Sequence, residues 1–440
     1  MEHIVSSHTP KRKIKYTSDW TLWACYIVLC AVSVIEVFSA SSLELKNGSV
    51  YLPITSHIQW LAIGFVFIFG LEHLHYKYTK AIMPLVAGGA IILAILTPFI
   101  GTSVNGAIRS IDIMGISVQA AEPCKLGCAM MLAYFLSRFQ KPDGTGLSTK
   151  GIWIGLGIVL LFVLLLVKQG GSNALLVLLV GGTMMILSVL PRKLILSALA
   201  VFVVVVGGAV AFVVTSLNDN DKSVASTEVV AKNNGGEEKK SFGRTGTWMT
   251  RIQNWLPDSV PEYAKPTTYG KNNNSQEHHA YMAIAHGKGI GVMPGNSREC
   301  SRLQLAFSDY IYAIILEEMG LLGGTIVLLC YLGIIIRACM ISKKCKSAYA
   351  SLLIMGMALV IVYQAFYHMC ISVGVLPVSG QPLPFISKGG TSIAIMSMAM
   401  GMMLSVSRYA VERTDSELRT IDDDEELPED LKAENPAAGF

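Results

Sequence analysis

The chain is a succession of apolar runs, and their length restricts its fold more than any other feature. A helix needs roughly 20 mostly apolar residues to cross a bilayer, because lipid offers no partner to an unpaired backbone amide. Runs of that size read at about 19–41, 56–74, 81–100, 116–137, 151–168, 172–190, 193–215, 306–337, 350–373 and 389–408. The predicted fold class is all-α: a polytopic membrane protein of ten transmembrane helices with one large extracytoplasmic loop. Only 15% of the 440 residues are charged, against roughly a quarter in a soluble domain. The weakest separations lie between Lys168 and Ser172 and at Pro191-Arg192-Lys193. A fused pair at either would flip everything downstream.

Charge sets the orientation. Lys11, Arg12, Lys13 and Lys15 precede the first run, so the N-terminus is expected in the cytoplasm. Alternate loops then hold Lys77 and Lys80; Arg138, Lys141 and Lys150; Arg192 and Lys193; and Arg337, Lys343, Lys344 and Lys346. The short loops on the other side hold only Lys46, Arg109, Lys168 and Lys388. The expected organisation is a cytoplasmic tail at 1–18, helices one to seven at 19–215, a large outer loop at 216–305, helices eight to ten at 306–408, and an acidic, disordered cytoplasmic tail at 409–440. No cleavable signal peptide reads at the start, since the first apolar run is too long for one. The first part of the large loop reads as solvated. Its second half, with "AYMAIAHGKGIGVM", is expected to pack on the membrane surface.

The nine cysteines form no zinc or redox spacing; Cys124 and Cys128, four apart on an apolar helix, read as core. No cofactor is evident, a divalent cation stays open, and no nucleic-acid partner is expected.

Ionisable residues at membrane depth are costly and tend to mark function. Glu122 and Lys125 lie three apart on one helical face, either as a structural ion pair or as a polar patch open to the outer leaflet, with Arg109 at its rim. Asp309 stands at the outer end of the eighth run, where it reads as a functional acid or, with Ser308, as a helix N-cap. Glu317 and Glu318 face different sides of that helix and need partners within the protein. The stretch "VLPVSGQPLPFISKGGTS", 375–392, combines rigid prolines, Gly389 and Gly390, and Lys388 at a helix start. Free amides beside a lysine make an anion site.

The stretches "VNGAIR" with "VQAAEPCKL", "AIAHGKGIGVMPGNS", "FSDYIYAIILEEMGLLGG" and "GVLPVSGQPLPFISKGGTS" resemble, in order, those of the SEDS family, the polytopic peptidoglycan glycosyltransferases that include FtsW and RodA. The variants "MPGNS", "FSDYIY" and "SKGGTS" look more like the FtsW branch of Bacteroidetes-type bacteria than RodA. The resemblance implies polymerisation of lipid II at the outer face of the bacterial cytoplasmic membrane, at the division site. The 4-hydroxyl of one lipid-linked disaccharide attacks the anomeric carbon of another, and undecaprenyl diphosphate leaves. "SDYIY" matches the family's catalytic "TDFIF"-like motif, which makes Asp309 the expected base. Arg109, Lys125 and Lys388 are the expected cations for the leaving group; Glu122, Ser308, Glu317 and Ser387 complete the expected substrate-binding set. The implied partner is a class B penicillin-binding protein, a single-span transpeptidase.

The chain departs from the family pattern at four places. "YGKNNNSQ" replaces an acidic loop segment, "GGSN" after Gln169 replaces "PDxG", His368 stands for an asparagine, and Lys388 for a tyrosine. Two other functions compete: a lipid-linked precursor flippase or transporter, weakened by the lack of an inverted repeat, and a non-catalytic division scaffold, motivated by the departures.

Overall fold

Asp19 starts the bundle. Its Oδ1 accepts the amides of Thr21 (3.0 Å) and Leu22 (3.2 Å), capping helix α1, Trp20–Ser41. Its Oδ2 takes Arg337 Nε and Nη2, both at 2.6 Å, from the far end of the chain. The computed structural model describes residues 18–41, 52–104, 107–113, 116–141, 146–167, 169–189, 275–300, 303, 309–345 and 347–409. The remaining helices are α2 (Leu52–His73), α3 (Thr79–Ile100), α4 (Ala121–Arg138), α5 (Thr149–Val167), α6 (Gly171–Val189), α7 (Ser275–Gly287), α8 (Ile311–Glu318), α9 (Gly320–Lys344), α10 (Ala348–Ser372) and α11 (Gly390–Tyr409).

Among the described residues, eight helices are long and apolar enough to cross a membrane: α1, α2, α3, α5, α6, α9, α10 and α11. Helix α4 fails that test because it carries Glu122, Lys125 and Arg138 within eighteen residues. It is nonetheless central, packed by α3, α5, α6, α10 and α11. Burial orders the bundle: 83% of the apolar window of α10 is enclosed, against 22% for α2. Helix α2 turns Phe65, Val66 and Phe69 outward, the face that lipid would cover. Its other side lies on α11 so closely that a Cβ on Gly401 would stand 3.0 Å from Ile68 Cα, the small-residue approach on which membrane helices rely. The expected run at 193–215, most of the large outer loop and both tails lie outside the described residues.

Two expectations change. Thr102–Val104 (β1), Ala107–Ile113 (β2) and Ile116–Gln119 (β3) form a three-stranded antiparallel sheet, order β1-β2-β3, so the chain is helical but not purely so. The fourth run therefore enters as a strand and becomes helical only at Ala121. The eighth run, read as one helix over 306–337, is broken at Met319–Gly320. Gly320 has φ +66°, a left-handed conformation that glycine adopts without strain. The break would orphan the last carbonyls of α8. Backbone amides of the loop after α7 satisfy two of them: Val292 donates to Glu317 O at 3.0 Å and Met293 to Glu318 O at 2.9 Å. Helix α7 does not lie separately from this break. It packs on α8 through a small apolar cluster of Ala280, Cys300, Leu303, Tyr310, Ala313 and Ile314.

Candidate active site

Helix α4 brings Lys125 to the centre of the bundle. Its Nζ donates to Glu122 Oε1 at 2.7 Å, with both side chains 1% exposed. A second donation goes to Gln364 Oε1 on α10, and Gln364 Nε2 in turn donates to Pro382 O at 3.0 Å. Ser392 Oγ on α11 donates to Glu122 Oε2 at 3.3 Å. The pair thus joins α4, α10, α11 and the 375–389 loop, and every polar atom in it has a partner. A buried pair without such support would cost more in desolvation than it regains.

The loop itself is threaded into the bundle. Residues 381–387 are buried. Tyr331 donates to Pro384 O, and Phe385 meets Tyr26 edge-on at 5.2 Å. Ser387 Oγ accepts the Leu383 amide at 2.6 Å, which closes the turn. A Cβ on Gly390 would lie 2.4 Å from the Trp60 ring, so α11 can start here only with glycine. Ser33 Oγ donates to Ile386 O at 2.9 Å and lies 2.7 Å from His57 Nε2. Lys388 is half-buried, and His57 is a neighbour that feels its charge.

Asp309 is a half-buried turn residue immediately before α8. The cap position of that helix belongs to Tyr310, which makes no side-chain capping bond. Glu317 is wholly buried and accepts from Ser297 Oγ (2.5 Å) and the Arg298 amide (3.1 Å), with His286 Nδ1 at 3.3 Å. It anchors the loop after α7. Glu318 accepts from Ser39 Oγ on α1, so the two acids do find partners on different sides of α8. His279 Nδ1 stands 2.5 Å from Glu299 Oε2, joining α7 to the loop that follows it.

Glu122 and Lys125 are therefore together, Ser387 and Lys388 lie on the adjoining loop, and Glu317 and Asp309 belong to α8 and its approach. Arg109 lies in β2 with its side chain outside the described residues, as does Ser308 altogether. Sequence reading missed Gln364, Ser392 and His57. The available signal was a polar residue within an apolar run, which Gln364 and Ser392 share with many packing residues.

Two of the departures from the family pattern also meet. Gln381 Nε2 donates to Ser172 Oγ at 3.3 Å, and Gln381 O lies 2.7 Å from His368 Nδ1. A carbonyl only accepts, so this imidazole nitrogen carries the proton. The replaced "GGSN" and His368 are one linked set.

The "Cell cycle protein" family model of FtsW, RodA and SpoVE matches residues 17–233 and 242–412. The chain belongs to the FtsW/RodA/SpoVE family. Among curated members of this family, the probable peptidoglycan glycosyltransferase FtsW of Lactococcus lactis is 32% identical over 36% of this chain and 37% of its own length. Stage V sporulation protein E of Bacillus subtilis is 32% identical over 34% of this chain and 42% of its own. The alignments to these two thus span well under half the length of each. The probable FtsW of Methylomonas methanica aligns over 93% of this chain and 97% of its own, at 22% identity. A chain of a peptidoglycan synthase complex shares the fold with TM-score 0.64 and 19% identity, over 90% of this chain and 98% of that one. The rod shape determining protein RodA of Thermus thermophilus does so at 0.57 and 18%, over 90% and 99%. This FtsW/RodA/SpoVE member is a multi-pass membrane protein.

Proposed function

We propose that the chain is a peptidoglycan glycosyltransferase of the FtsW kind, which polymerises lipid II at the outer face of the bacterial cytoplasmic membrane during cell division. Asp309 is the general base. It takes the proton from the acceptor 4-hydroxyl as the oxygen bonds to the donor's anomeric carbon. The bond from that carbon to the diphosphate oxygen breaks, and undecaprenyl diphosphate departs. Arg109 and Lys388 face the leaving charge. Lys125 stays in its ion pair and holds α4 in place.

The observation that carries this reading is the setting of Asp309: a half-buried carboxylate, outside the cap position of α8, within "FSDYIYAIILEEMG". A positioned base is worth roughly 10²–10⁴-fold. Both termini are cytoplasmic, from the lysine and arginine bias. The partner is a class B penicillin-binding protein; the fold likeness to a chain from a synthase complex that coordinates polymerization and crosslinking supports it. The test is polymer formation from labelled lipid II by the purified chain with its transpeptidase, wild type against Asp309→Asn. Polymer from the wild type alone supports the reading. Translocation without polymer would favour the flippase, and neither would favour the scaffold.

A further inference from the structure

Glu36 lies in the outer part of α1, fully buried, and neither of its carboxylate oxygens has a hydrogen-bond partner. It stands three residues from Ser39 and so shares its helical face, which is the face that meets α8. The charge it confronts there is Glu318. Glu318 is buried as well: its Oε1 accepts from Ser39 Oγ, the amides of Gly295 and Ser297 turn toward its carboxylate, and Oε2 has no hydrogen bond. Ser39 Oγ also accepts the Gly295 amide at 2.9 Å, so it keeps an oxygen at the same point. Glu317 is not part of this group, because Ser297, Arg298 and His286 occupy it.

Ser39 and Gly295 also border a groove of about 390 Å³ whose other lining residues are Val34, Ile35, Phe38 and Pro294. Two features therefore coincide: open carboxylate oxygens from two chain segments, and oxygen-only donors. Two carboxylates cannot both stay ionised in a buried site unless something balances them. Oxygen donors of this kind suit a hard divalent ion, calcium or magnesium, and two carboxylates match its charge.

We propose that Glu36 and Glu318, with Ser39, form a binding site for a hard divalent cation that ties α1 to the α7–α8 layer. Neither acid takes part in the glycosyl transfer argued above. The ion's structural consequence lies in the loop. Gly295 is held by Ser39, whose hydroxyl also bonds Glu318, and the same loop caps α8 at Val292 and Met293. Occupancy would fix the segment that leads to Asp309.

The test uses the full chain, purified in nanodiscs and stripped with EDTA. Calcium chloride and magnesium chloride are added separately, and choline chloride at matched ionic strength is the control. The expected result is a saturable rise of a few degrees in melting temperature with one or both divalent ions and none with choline. Which ion acts at lower concentration identifies the preferred one. Equilibrium dialysis with calcium-45 should give roughly one ion per chain at saturation, with magnesium competing if both bind. Glu36→Gln, which keeps the shape and removes the charge, should abolish both the shift and the retained ion while the stripped protein melts no lower than the stripped wild type. Melting unaffected by divalent ions, or a shift and bound ion retained by Glu36→Gln, would overturn the site. The first of these outcomes, with Glu36→Gln as stable as wild type, would make the two acids a proton-sharing pair. None of these readouts depends on lipid II polymerisation, so the site and the proposed reaction stand or fall separately.

Discussion

Gly291 and Gly320 meet backbone to backbone: a Cβ on Gly320 would lie 2.4 Å from the Gly291 nitrogen, and both residues have positive φ, +86° and +66°. This contact lets the loop after α7 reach the broken end of α8 and cap it. The break in the eighth membrane run and the packing of α7 on α8 are thus one structural event.

Gly320→Ala should therefore be strongly destabilising. Forcing an alanine into the left-handed region costs about 1–3 kcal/mol, and the backbone contact adds to it. Gly289→Ala, two residues from Gly291 and with open space around its Cβ, is the control. Folded yield by fluorescence-detected size exclusion should fall for the first and hold for the second. Equal yields would mean that the close contact is not formed.

The Glu122–Lys125 pair makes a different prediction. Lys125→Met alone leaves Glu122 buried without its cation, and breaking a buried pair costs about 3–5 kcal/mol. Lys125→Met with Glu122→Gln removes both charges and should recover most of the lost thermal stability. Failure of the double variant to improve on the single one would show that the charges are not coupled.

Much of this architecture was legible in the sequence, for reasons that vary by element. Nine of the ten expected runs contain a membrane-length or central helix among the described residues, because apolar length is a local property. The break at Met319–Gly320 was not legible, since the run continues in "LEEMGLLGG" and one glycine does not reveal a distant loop pressing on it. The sheet at 102–119 was hidden by its brevity and by the apolar "IMGISV" feeding into α4. At the candidate site, Glu122 and Lys125 were found from charge at helical spacing. Their partners Gln364 and Ser392 depend on tertiary packing 239 and 270 residues away along the chain. The linkage of "GGSN" with His368 through Gln381 was invisible for the same reason.

Lysine and arginine bias predicts the topology. A reporter active only outside the cytoplasm, fused after Ser223, should be active, and the same reporter at the C-terminus should be silent. The reverse pattern would show that the number of crossings is wrong.

Lys388→Ala should lower polymerisation far more than it lowers protein abundance, because the half-buried side chain is assigned to the leaving diphosphate and not to packing. Immunoblot and polymerisation gel from the same membranes check this. Equal loss in both would give the lysine a structural role.

The most direct test is the rate of glycan polymerisation from lipid II by Asp309→Asn, measured at matched protein level beside the wild type and Glu317→Gln. Asparagine keeps the size and most of the hydrogen bonding of aspartate but cannot accept the proton. Asp309→Asn should lose roughly 10²-fold or more in rate while its melting temperature stays close to wild type. Glu317→Gln should act chiefly on stability, through the Ser297 and Arg298 contacts. Near wild-type polymerisation by Asp309→Asn would contradict the assignment of the base.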